Sequence, residues 1–144
     1  MNIESLRTMV QSDLKIDESN LHTESIKTPQ LHNKYLVFYQ NSKLELEKLE
    51  LEEKILKKDK WLYYTGKIGQ DDLESYGWEP FDYNILKTDV PMFIDADKDI
   101  QKIRAKNSLQ RMLVDYLENV IKIITGRQWS IKSAIEWIKF TQGI

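Results

Sequence analysis

The chain has 144 residues, 41% hydrophobic and 31% charged, with a formal net charge of −2. That is the size and balance of one folded soluble domain and excludes disorder along the whole length. There is no cysteine, which removes disulfides, thiolate metal sites and thiol redox chemistry and suits a reducing compartment. No apolar run approaches the roughly 20 residues of a membrane span, and residues 1–14 lack the basic-then-apolar pattern of an export signal; the chain is expected to be neither exported nor membrane-spanning.

Glycine and proline are scarce, at 5 and 3, and no hairpin dipeptides separate alternating strands, so the expected fold class is all-α. In chain order, a short helix is expected over Asn2 to Leu14, with Ile3, Leu6, Val10 and Leu14 on one stripe. Asp17 and Ser19 are candidate caps, and Pro29 marks either a break or the first turn of the next element. From Gln30 to Thr65 nothing interrupts a long helix, and Gly66 and Gly69 end it. Residues 70–91 hold two prolines and a glycine among scattered aromatics and read as an irregular connection. Asp95 is the expected cap of a third helix, with Asp97 and Asp99 in its first turn, reaching Thr125 before Gly126 stops it. Ser130 then caps a last helix to Thr141, with Ile131, Ile135 and Ile138 on its stripe and Trp137 beside it. The expected organisation is a single helical domain over 1–144. Residues 1–66 carry the first helix and the long one, 67–94 an acidic connection, and 95–144 the C-terminal helices.

Two apolar arcs run along the long helix. With Leu44 at zero on a wheel of about 100° per residue, Leu51, Ile55 and Leu62 lie within roughly 20°, while Leu46, Leu49 and Leu56 fall near roughly 120–200°. Either the helix packs once in its own fold and once on another copy, or both arcs form one broad stripe in a four-helix core.

Charge is segregated along the chain. Residues 54–67 carry five lysines, one acid and three aromatics, residues 68–99 carry nine acids against two bases, and 100–144 carry eight bases against three acids. Cations beside flat rings suit single-stranded nucleic acid, the cations meeting phosphates and the rings unstacked bases. A lysine-rich helix end is also a common solvated face that suits the helix dipole. The candidate contacts are Lys54, Lys57, Lys58, Lys60, Trp61, Tyr64 and Lys67. Trp61 shares its face with lysines and meets a base, the acidic connection or a neighbouring subunit; Tyr63 lies nearer the apolar side. In the second basic region Lys102, Arg104, Lys106, Arg111, Lys122, Arg127, Lys132 and Lys139 are spread over two helices and mostly solvate them.

No catalytic constellation can be assembled, so no enzyme is expected. His22 and His32 do not have the spacing of a metal pair on one helix. Asp95, Asp97 and Asp99 begin like a calcium loop, but Ile100 stands where glycine is needed and Lys106 where glutamate is needed. The turn from Gly66 to Gly69 lacks the spacing and the Lys-Ser/Thr pair of a phosphate loop. No metal or cofactor is expected.

Several segments then become recognisable together. Lys58-Asp-Lys60-Trp-Leu-Tyr63-Tyr64-Thr65-Gly66 follows a basic-x-basic-hydrophobic-x-Tyr-Tyr-small-Gly pattern. Lys15-Ile-Asp17 with Leu21, Ala96-Asp97-Lys98-Asp99, and the ending Ile131-Lys-x-Ala-Ile135-x-Trp137-x-x-Phe140 accompany it in order. Over nearly its whole length the chain resembles the UvsY recombination mediators of T-even-type bacteriophages. The resemblance implies a non-enzymatic function in the cytoplasm of the infected host. It implies single-stranded DNA binding by a ring-like homo-oligomer, a hexamer or heptamer, that loads a phage recombinase onto strands coated by a single-strand-binding protein. Lys58 and Lys60 match the paired basic DNA-contacting positions of that family, the second commonly arginine there. The C-terminal helix, with Ile131, Ile135, Trp137 and Ile138, matches its oligomerisation region. Trp61 replaces a smaller aliphatic residue, and the segment 68–91 departs most. The alternative is a helical oligomer or adaptor without direct DNA contact.

Overall fold

The computed structural model describes residues 2–143. The all-α expectation holds, with long helices accompanied by shorter ones. The helices are α1 (Ile3–Asp13), α2 (Leu21–Tyr64), α3 (Gln70–Tyr76), α4 (Val90–Ala96) and α5 (Lys98–Gln142). Among the described residues none is in a strand. No described helix is long and apolar enough to cross a membrane.

The chain packs as two compact units, one of residues 1–43 with 111–144 and one of residues 44–110. In the first, Leu6 and Val10 of α1 meet Tyr35 of α2 and Leu117, Val120 and Ile124 of α5. These recur at helical spacing on each element, so each contributes one apolar stripe to a shared core. Asn2 caps α1 by accepting from the Ser5 amide at 2.8 Å. Tyr35, fully buried, keeps its hydroxyl satisfied by donating to Asp13 at 2.8 Å, and Lys34 reaches the same carboxylate at 2.6 Å.

Three boundaries differ from the sequence reading. The long helix starts at Leu21, ahead of the proline, and carries Pro29 inside it. Proline has no amide to offer the carbonyl four residues back, and Gln128 of α5 supplies a donor to that Ser25 carbonyl at 3.4 Å. Beside it the Arg127 guanidinium bonds the Glu24 carbonyl and carboxylate, and the Thr28 hydroxyl at 2.8 Å. Arg127, expected as a solvating charge, is buried in this repair of the proline site. Gly126 does not end a helix either: α5 runs through it to Gln142. A lone glycine costs only about 1 kcal/mol in a helix interior, less than the packing of Ile124, Arg127 and Ile131 on either side returns.

In the second unit the segment expected to be irregular holds α3 and α4, and Gly77 ends α3 in the left-handed conformation, φ 70°. Val90, Ile94 and Ile100 form its buried centre, with Leu56, Tyr64 and Ile85 packed on them. Asp97, not Asp95, caps α5: its Oδ1 accepts from the amides of Asp99 at 2.9 Å and Ile100 at 3.1 Å. Asp95 instead holds Arg104 at 2.8 Å.

Candidate nucleic-acid interface

The C-terminal half of α2 shows three faces. Lys54, Lys57, Lys58 and Trp61 fall within roughly 100° of arc at about 100° per residue, and all four are exposed, Trp61 at 37%. Leu44, Leu51 and Ile55 form a second exposed, apolar face. The third faces inward: Leu46, Leu49 and Leu56 are half-buried on it. The two leucine arcs of the sequence are therefore one inward and one open.

Lys60 lies on the inward face. It is 3% exposed, and its ammonium sits 3.0 Å from Asp97 Oδ2 and 2.9 Å from Asp99 Oδ2. It also lies 3.6 Å from the centroid of the Trp78 ring. A cation so enclosed by carboxylates and an aromatic face has no valence left for a phosphate. Where DNA contact was expected at Lys60, the structure has a buried ion pair. The signal was present in the wheel: Lys60 falls at roughly 160° from Leu44, inside the second leucine arc.

Tyr64 also belongs to this interior, donating to Asp97 Oδ2 at 2.6 Å and packing edge-on to Phe81 at 5.0 Å. Burial raises the Asp97 carboxyl pKa. The hydrogen bonds from Tyr64, Lys60 and the Ile100 amide together outweigh it and hold the group below its ordinary 3.8. Burial first, then donation to Asp97, pushes the Tyr64 phenol above its ordinary 10. Tyr76 stacks flat on Trp78, centroids 4.0 Å apart and planes 5° from parallel. It donates to Asp59, chiefly by which its phenol is pushed up to about 12. The acidic stretch is thus folded onto the helix end, where Asp97 and Asp99 meet Lys60 and the Glu79 carbonyl accepts from Tyr63.

Of the seven expected DNA contacts, Lys54, Lys57, Lys58 and Trp61 share one exposed face. Lys67 is exposed just past the helix, beyond Gly66, whose φ of 72° makes the turn. Lys60 and Tyr64 do not join them. Lys58 has a neighbour at 3.2 Å in Asp59, but its side chain is 66% exposed.

The expected oligomerisation residues also divide. Ile131 is buried in the first unit, Ile138 is half-buried and Ile135 borders solvent, all on one stripe of α5. Trp137 is on the opposite side and open, with Phe140 at 5.9 Å and Trp129 exposed on that side as well. Trp129 was not singled out from sequence, although it stands roughly 20° from Phe140 on the wheel.

The fold and this face define an all-helical protein that offers a cationic, tryptophan-bearing helix surface. Among its described residues no group of His, Asp and Glu is placed to hold a metal. The family model described as "Recombination, repair and ssDNA binding protein UvsY" matches residues 9–144, and the chain belongs to that family. It is similar to the recombination protein uvsY of Enterobacteria phage T4, 24% identical over 143 residues and 99% of both chains. Crystal structures of the bacteriophage T4 recombination mediator protein UvsY share the fold. The form in lattice type II aligns at a TM-score of 0.85 with 25% identity, over 99% of this chain and 98% of that one. Lattice type IV aligns at 0.83 with 22% identity, over 98% and 99%.

Proposed function

We propose that this chain is a recombination mediator acting in the cytoplasm of the infected host. It binds single-stranded DNA as a homo-oligomer, a ring of six or seven copies, and promotes loading of a phage recombinase onto strands coated with a single-strand-binding protein. The observation that carries the reading is the exposed face of Lys54, Lys57, Lys58 and Trp61 on a member of this family. Three lysines and one ring bind a strand weakly in one copy; repetition around an assembly multiplies them through effective concentration. The open Leu44, Leu51 and Ile55 face and the Trp129, Trp137 and Phe140 patch supply apolar area for assembly. The work is mechanical and needs no catalysis: a strand held along the basic faces is drawn from its coat and offered extended to the recombinase.

The test is fluorescence anisotropy of a labelled oligonucleotide across a salt series, with light scattering for mass. Affinity should fall steeply with salt, and the triple K54A/K57A/K58A variant should flatten the slope by roughly 0.7 for each phosphate that is no longer neutralised. Salt-independent binding, an unchanged slope in the triple variant, or a dilute monomer would overturn the reading and leave a helical adaptor.

A further inference from the structure

Beyond the end of α2 the second unit carries a cleft outside the face of Lys54, Lys57, Lys58 and Trp61. Thr65 and Lys67, just past the helix, line it together with Asp82, Tyr83, Asn84 and Lys87. Tyr83 is 75% exposed, with Phe81 beside its ring at 5.5 Å. Among the described residues no carboxylate lies within ion-pair distance of Lys67 or Lys87. An open aromatic ring that lines one cleft with two uncommitted ammonium groups is costly in water unless something covers it.

Resting on the single-stranded DNA reading above, we propose that this cleft is a nucleotide subsite, with one base on Tyr83 and its flanking phosphate between Lys67 and Lys87. Three observations support it. First, Thr65 lies at the same wheel angle as Lys54, Lys58 and Trp61 to within roughly 40°, so the cleft continues their face about 16 Å along the helix axis from Lys54, at about 1.5 Å per residue. Second, the cleft holds about 240 Å³, below the roughly 300–1,000 Å³ of a pocket that engulfs a whole small molecule. It suits one unit of a polymer that continues outside. Third, Asn84 offers both a donor and an acceptor and Asp82 an acceptor, the groups that meet a base edge. Asp82 would oppose the carboxylates of an acidic peptide, whereas it can accept from the exocyclic amine of cytosine or guanine. Aromatic stacking tolerates any base, so Asp82 makes the subsite favour amine-bearing ones over thymine.

The experiment is photocrosslinking of full-length protein to an oligonucleotide carrying 5-iododeoxycytidine, which keeps the exocyclic amine, at successive positions, mapped by mass spectrometry, with anisotropy on variants. Crosslinks are expected at Tyr83. Y83A should weaken binding about tenfold and Y83F should restore it, since stacking needs the ring and not the hydroxyl. K67A/K87A should lower the salt slope by about 0.7, one phosphate's worth. All three positions are exposed, and an unchanged melting temperature shows that the variants fold. If DNA binds with crosslinks at Trp61 but none at Tyr83, and Y83A binds like wild type, the subsite is overturned while the DNA reading stands. If wild type binds no oligonucleotide, both fall. Should a polyglutamate peptide bind in a Tyr83-dependent way without DNA crosslinks there, the cleft belongs to an acidic partner and the proposal is overturned.

Discussion

Replacing Lys60 separates the structural role of this residue from a role at the DNA surface. In K60A, Asp97 loses the cation 3.0 Å away and Asp99 the one at 2.9 Å. Removing one partner of a buried pair costs about 3–5 kcal/mol because a charge is left unpaired. Asp97 keeps Tyr64 at 2.6 Å and the amides of Asp99 and Ile100, and Asp99 is half exposed and regains water; these place the cost near the lower bound. Removal of the cation over Trp78 adds about 1–2 kcal/mol for a desolvated pair. Denaturant unfolding followed by tryptophan fluorescence should therefore show K60A about 4 kcal/mol less stable than wild type. K58A, at a surface pair, should lie within about 0.5 kcal/mol. Adding D97N to K60A should recover part of the loss, giving a coupling of about 1–3 kcal/mol in the double-mutant cycle. At a temperature where K60A is folded, its salt slope for oligonucleotide should equal wild type. A K60A protein of wild-type stability with a flattened slope would refute the inward placement and put this ammonium on the strand.

Three further outcomes follow from single positions. Gly126 is helical, exposed, and has nothing within 4 Å of where a Cβ would sit, so G126A should stabilise by about 1 kcal/mol and raise the melting temperature by about 3 °C; a fall would show that another backbone approaches there. Because the Asp97 carboxyl titrates below its unfolded value in the folded chain, the stability it contributes is complete above about pH 4 and is lost as pH falls through the lower folded value. Denaturation midpoints should drop below about pH 4, and D97N should remove part of that dependence. For Tyr76, pushed up to about 12, the sign is opposite: its contribution is complete below about pH 10 and lost as pH rises towards 12, which the ultraviolet absorbance of the phenolate will follow.

What was legible in the sequence was what local periodicity controls. The α1 stripe of Leu6 and Val10, the end of α2 at Gly66 and the two leucine arcs depend on spacings of three, four and seven residues, and the structure shows them. Partners distant in sequence override local rules elsewhere. Pro29 reads as a break or a first turn because proline removes a donor, yet Gln128 and Arg127, about a hundred residues on, supply donors to the freed region inside the helix. Gly126 reads as a stop, yet the residues around it are pinned by Glu24 and Thr28. Lys60 reads as one of five lysines open to a strand or to solvent until Asp97 and Asp99 are brought to it. Tyr83 and Lys87 lie in a segment without periodicity, so nothing in the chain's order marked them as neighbours of Lys67.

The acidic stretch changes meaning once its partners are seen. As a free linker it would repel a DNA strand from the helix end. Folded back, it directs Asp97 and Asp99 at Lys60, Asp95 at Arg104, and the Glu79 carbonyl at Tyr63. Like-signed repulsion falls when a carboxylate is paired, and a surface charge about 10 Å away is largely screened at about 0.1 M salt. The cations of 54–67 left outside these pairs are Lys54, Lys57 and Lys67, with Lys58 only half committed to Asp59. Lys60 thus holds the acidic segment in place, and that frees the exposed lysines to carry the positive field. On this logic the salt dependence of DNA binding is set by residues that Lys60 never touches, and a substitution at Asp97 or Asp99 alters binding only by unfolding the segment that those residues hold.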